Sequence, residues 1–135
     1  MKKKCFLYKR KSYMKLQEGS AIQKLIFKFI VAFNGILEGL ITDFSIQLQF
    51  FFAFCAIVVA CVFKFTSIEW AIWLICISMV LTLEYLNSSF ESMMDRLDPS
   101  YHILTKKAKD LGAAAVLIAA FFSLIIGIIF IAQHL

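Results

Sequence analysis

Proline is nearly missing from this chain of 135 residues, with Pro99 standing alone. Proline breaks a helix interior by removing an amide donor and crowding the preceding turn, so long helical runs are free to form on either side of it. Glycine is scarce as well. The five glycines are scattered and form neither G-x-x-x-x-G-K-[ST] nor G-x-G-x-x-G, which excludes a glycine-rich phosphate cradle. A nucleotide bound here would need side chains and metal ions instead. The four cysteines (Cys5, Cys55, Cys61, Cys76) have neither metal-ligand spacing nor a pairing pattern, and three of them read as small apolar side chains within membrane spans. His102 and His134 lie too far apart to suggest a metal pair. No Ser-His-Asp or Cys-His arrangement supports a hydrolase. A cleavable signal peptide is also missing: "MKKKCFLYKRKSYMK" carries the charges, but its apolar core is only a few residues long.

Apolar residues are abundant. They make up 61% of the chain, and the mean hydropathy is +0.83. A soluble domain averages nearer half apolar, so the excess calls for lipid. Residues 44–65 are interrupted only by Ser45, Gln47, Gln49 and Lys64, while residues 70–83 and 111–132 carry no charge. Each run extends to a helix of roughly 20 residues, enough to cross a hydrocarbon core of about 30 Å. Residues 22–42 differ. Leu25, Ile26, Phe29, Ile30, Phe33, Ile36, Leu37 and Leu40 share one face at helical spacing, and Lys24, Lys28, Asn34 and Glu38 share the other. Such a helix lies in the membrane interface. The expected fold is an all-α integral membrane protein. It has a basic arm (residues 1–21), an interfacial amphipathic helix (22–42) and three spans (44–65, 68–92, 111–132) in one membrane domain.

Nine of the 14 Lys and Arg lie between Lys2 and Lys28, and Arg96, Lys106, Lys107 and Lys109 lie between spans two and three. Positive residues stay on the cytoplasmic side, so the N-terminus and second loop are expected inside and the C-terminus outside. The net charge of +5 reads as an orientation signal and a contact for anionic lipid, not as a nucleic-acid footprint. Asp98-Pro99 reads as an N-cap and first-turn pair that ends the second long helix.

The stretch "EYLNSSFESMMDRLDP" closes that helix with acids. Asn87, Ser88, Glu91 and Asp95 all fall within about 60° of Glu84 around the helix, and the stripe is about 16 Å long. A carboxylate in mid-membrane costs about 2.5–3.5 kcal/mol on insertion scales, so several on one face need cations, donors or water. Mg²⁺, which prefers oxygen ligands, suits them. A ladder of interhelical hydrogen bonds would account for one buried Asn more readily than for this whole line. Lys109 and Asp110 open the third span. They read equally as a membrane-edge anchor and as a contact for an added anion. A non-enzymatic bundle, conducting ions or protons or only structural, could use the same stripe, but a cation path has no need of Lys109.

The pattern Glu-x-x-Asn-[Ser/Thr]-x-x-Glu-x-x-x-Asp, then a Lys-Asp pair before the third span, fits residues 84–120 without a gap. It resembles the signature of the prokaryotic diacylglycerol kinase family, which includes undecaprenol kinases, and the agreement in plan extends over about residues 22–132. The resemblance implies a multi-pass enzyme of the bacterial cytoplasmic membrane that phosphorylates a membrane lipid alcohol from ATP with Mg²⁺. It further implies a homotrimer with active sites shared between subunits. Glu84 would be the general base and Glu91 a metal ligand, with Asn87 and Asp95 supporting nucleotide and metal. Lys109 would contact phosphate, and Asp110 the nucleotide. The lysine-rich start looks more like the Gram-positive members, which leans the substrate toward undecaprenol over diacylglycerol. One departure stands out. Where the family carries a second metal-binding Glu, alignment on Phe44 puts Ile41, and Ser45 replaces a frequent Arg. Asp43 is the nearest substitute for the missing ligand.

Overall fold

The computed structural model describes residues 20–97 and 103–135. Four helices follow one another: α1 (Ala21–Thr42), α2 (Phe44–Val62), α3 (Ser67–Leu97) and α4 (Ile103–Gln133). No strand occurs among the described residues. All four helices are long and apolar enough to cross a membrane, which bears out the all-α membrane class. The basic arm up to residue 19, the Asp98-Pro99 break and His102 lie outside the described residues. The chain forms two compact units, Met1–Ile41 and Thr42–Leu135.

In the first unit, α1 begins at a reciprocal cap. Gln23 N donates to Ser20 Oγ at 3.5 Å, and Ser20 N donates to Gln23 Oε1 at 3.0 Å. This Ser-x-x-Gln box satisfies amide donors that the first helical turn leaves without partners. Most apolar side chains of α1, including Leu25, Phe29 and Phe33, are exposed. By length and composition alone α1 also qualifies as a crossing helix. It carries the charged residues Lys24, Lys28 and Glu38 on which the interfacial expectation rested.

In the second unit, Asp43 N-caps α2. The helix stops at Val62, three residues short of the expected 65, because Lys64 turns into the left-handed region at φ 53°. Phe65 N donates to Ala60 O at 3.1 Å and Lys64 N to Cys61 O at 3.3 Å. This is the paired hydrogen-bonding of a Schellman end, with lysine where glycine is usual. Thr66 then caps α3: Thr66 N and Oγ1 donate to Glu69 Oε2 at 2.6 and 2.8 Å, and Glu69 N returns a bond to Thr66 Oγ1 at 3.4 Å.

The core gathers where this hairpin meets the end of α4. Ala60, Phe65, Trp73 and Cys76 are buried, with Phe63, Trp70 and Phe130 packed around them. Phe65 meets Trp73 and Phe130 edge-on at 6.0 and 5.4 Å and stacks on His134 at 5.8 Å. Trp73 Nε1 donates to Ala56 O at 2.9 Å, tying α3 to α2. His134 Nε2 reaches Glu69 at 2.9 Å, so the C-terminal end of α4 is joined to the start of α3. Cys55, Cys61 and Cys76 are free thiols.

Most apolar surface points outward instead of into this core. Phe51, Phe54, Ile75, Leu117 and Leu124 are all at least half exposed. Such an exterior is stable in hydrocarbon, where each helix satisfies its own backbone. The 31 residues of α3 and of α4 give helices of about 46 Å, longer than the roughly 30 Å of hydrocarbon they cross. Each is therefore about ten residues longer than the lipid core requires, and the acidic stripe occupies the C-terminal half of α3.

Candidate active site

Asp43 brings α2 and α3 together at that end. Its Oδ1 accepts from Ser45 N at 2.9 Å and from Ile46 N at 3.3 Å, and its Oδ2 accepts from the Ser88 hydroxyl. The Ser88 bond holds the Asp43 carboxyl below the usual carboxylate range. Partial burial opposes it, and the amides of Ile46 and Ser45 reinforce it.

Glu84 and Asn87 are the buried members of the stripe, at 6% and 8% exposure. Gln49 of α2 hydrogen-bonds Glu84, which also lies within electrostatic reach of Asp43 and Glu91. Asn87 Nδ2 donates to Glu91 Oε1 at 3.3 Å, one helical turn along. On its other side Asn87 presses against Gly112 of α4, where a Cβ would collide with Oδ1. The bare glycine lets the helices close around the amide. Asn87 Oδ1 itself is buried without a hydrogen-bond partner among the described residues, an uncommon state that a bound donor would relieve.

A second contact lies further along. Lys109 Nζ bonds Asp95 Oδ1 at 2.5 Å, joining α4 to α3. Lys109 is also within electrostatic reach of Glu91, so the ammonium flanks the acidic group. Asp110 is exposed and makes neither contact. Of the sequence-derived candidates, Asp43, Glu84, Asn87 and Glu91 form one group and Asp95 and Lys109 adjoin it, while Asp110 stands apart. Two further participants were without a partner in the sequence pattern: Gln49, which bonds Glu84, and Ser88, placed on the stripe but not against Asp43. The only signal for Gln49 was its interruption of an apolar run. A third polar contact missed there, Glu69 with His134, belongs to the opposite end of the helices.

The donor set is all oxygen, the preference of Mg²⁺. Among the described residues no three Asp, Glu, His or Cys are gathered closely enough to hold a metal by themselves. Mg²⁺ in nucleotide sites typically takes one or two carboxylates and completes its shell with phosphates and water. Glu91 and Asp43 fit that demand, and beside them Asn87 Oδ1 has no donor.

Fold and site together define a multi-pass, all-helical membrane protein with a carboxylate-rich site at one end of its spans. The chain belongs to the prokaryotic diacylglycerol kinase family, whose model matches residues 30–131. It is 30% identical over 103 residues to the diacylglycerol kinase of Escherichia coli strain K12, covering 76% of this chain and 84% of that protein. It is 31% identical over 108 residues to the undecaprenol kinase of Bacillus subtilis strain 168, covering 80% and 88%. To the diacylglycerol kinase of Synechocystis it is 33% identical over 104 residues, covering 76% and 59%.

Proposed function

We propose that this protein transfers the γ-phosphoryl group of ATP to the hydroxyl of a membrane lipid alcohol, giving ADP and a lipid phosphate. The observation that carries the reading is the placement of Glu84. It is a buried carboxylate on an apolar helix, bonded by Gln49 and close to Asp43 and Glu91. A carboxylate there suits a hydroxyl presented by a lipid at the interface. Glu84 accepts the hydroxyl proton as the oxygen attacks phosphorus, and the bond from phosphorus to the ADP oxygen breaks. Glu91 and Asp43 would hold Mg²⁺, which would supply neutralisation of phosphate charge there. Asn87 orients Glu91 through the bond already described.

Lys109 meets phosphate after exchanging its Asp95 contact for an ATP oxygen, and Asp95 and Asp110 face the nucleotide. A groove of about 270 Å³ runs from Gln49 past Phe52, Trp73, Val80 and Leu81. Its apolar walls suit a lipid chain whose hydroxyl ends near Glu84. The proposal includes a homotrimer with shared sites and a cytoplasmic placement of the acidic end. The lipid is undecaprenol before diacylglycerol.

The test is transfer from labelled ATP by purified protein in mixed micelles with Mg²⁺, with undecaprenol and diacylglycerol offered in parallel. The expected result is a labelled lipid phosphate that needs Mg²⁺ and forms faster on undecaprenol. Folded, inserted protein that labels neither lipid refutes the reading.

A further inference from the structure

The Asp43–Ser88 contact spans 45 positions of sequence and takes part in no step described so far. Ser88 lies four residues after Glu84 and three before Glu91, so on a helix it is the neighbour of both. Anything bonded to its hydroxyl is held beside the two glutamates. What it holds is a third carboxylate from another helix. Asp43 cannot be supplied by the stripe itself, because it precedes the first residue of α2.

The geometry divides the work of the Asp43 carboxylate. Its two oxygens offer about four lone-pair sites. Two on Oδ1 are taken by the Ser45 and Ile46 amides and one on Oδ2 by Ser88, leaving one on Oδ2. The cap fixes the carboxylate to α2, and Ser88 fixes which way the remaining site faces. Without the hydroxyl, like charge works against the arrangement, since Glu84 and Asp43 lie within each other's field and carboxylates at such range repel.

We propose that Ser88 is a positioning residue that holds the Asp43 carboxylate beside Glu84 and Glu91, turning its remaining Oδ2 site toward the divalent cation that Glu91 would also bind. The proposal rests on the kinase reading and deepens its metal site. It accounts for how an aspartate two residues beyond the family's usual glutamate position can still serve.

The experiment compares wild type with Ser88→Ala, Ser88→Thr, Asp43→Asn and the Ser88→Ala/Asp43→Asn double variant in mixed micelles. Three quantities are read: the half-saturating Mg²⁺ for lipid phosphorylation, the KM for lipid, and Mn²⁺ binding by electron paramagnetic resonance with a non-hydrolysable ATP analogue. Ser88→Ala is expected to weaken both metal measures by about tenfold, the size of one hydrogen bond to a charged group. The KM for lipid stays near wild type. Ser88→Thr restores both metal measures, and in the Asp43→Asn background the loss of the hydroxyl adds nothing. Unchanged Mn²⁺ binding in Ser88→Ala overturns the proposal, as does a full additional loss on top of Asp43→Asn. Wild-type protein that binds Mn²⁺ in a Ser88-dependent way but phosphorylates no lipid keeps the tether and refutes the kinase reading. Active wild type with an indifferent Ser88→Ala does the reverse.

Discussion

Replacing Gly127 by alanine is expected to destabilise the helical unit although alanine is the better helix former. A Cβ at Gly127 would lie 2.6 Å from Trp73 Cη2 and 3.0 Å from Cζ3. The indole cannot simply swing away. Its Nε1 is bonded to Ala56 O at 2.9 Å, and its edge packs on Phe65. Overfilling a packed site costs about 1–3 kcal/mol, and exchanging glycine for alanine within a helix returns about 1 kcal/mol. If the indole moves far enough to break its bond, about 1 kcal/mol more is lost. The net expectation is a loss of about 1–2 kcal/mol, since the steric cost exceeds the propensity gain. Reversible unfolding in mixed micelles by added dodecyl sulfate, followed by tryptophan fluorescence and circular dichroism, measures it. The second arm repeats the substitution in a Trp73→Ala background, where no ring meets the new methyl and the sign should reverse. Equal destabilisation in both backgrounds, or stabilisation of the wild type by Gly127→Ala, would refute the reasoning.

Lys64→Gly should raise stability by about 0.5–1 kcal/mol, because the left-handed C′ position of α2 strains any residue with a Cβ; the same unfolding assay reads it. His134→Ala should lower the unfolding midpoint by removing the partner of the little-exposed Glu69, and His134→Gln, which keeps a donor, should lower it less. Asp43 has its pKa depressed in the folded protein, so its stabilising contribution is present above the unfolded-state value of about 4 and is lost as pH falls through the lower folded value. Wild type should therefore lose stability relative to Asp43→Asn below about pH 4, and parallel pH profiles would contradict the Ser88 bond. Under the proposed function, Glu84→Gln should leave nucleotide binding intact and cut transfer by about 10²–10⁴-fold. Glu91→Gln should abolish Mg²⁺-dependent turnover in protein that still inserts.

Legibility in the sequence followed periodicity. The stripe from Glu84 to Asp95 could be drawn from a 100° helical wheel because all its members belong to one continuous helix, and α3 does run unbroken from Ser67 to Leu97. The uncharged runs marked the lipid-facing helices for the same reason: composition within one segment decides whether that segment enters hydrocarbon. Contacts between segments obey no such rule. Gln49 reaches Glu84 and Ser88 reaches Asp43 only because α2 and α3 pack in a particular register, and that register depends on shape at distant points. One is Trp73 lodged against Ala56 and Gly127. Another is the hairpin, which turns at Lys64. A left-handed lysine leaves no compositional trace, since glycine is the residue that normally signals this turn. Asp43 combines both cases. Its nearness to α2 was visible in the sequence, where it stood as a substitute for the glutamate missing at Ile41. Its direction was not, because the N-cap that anchors one carboxylate oxygen is local while the serine that anchors the other comes from the next helix.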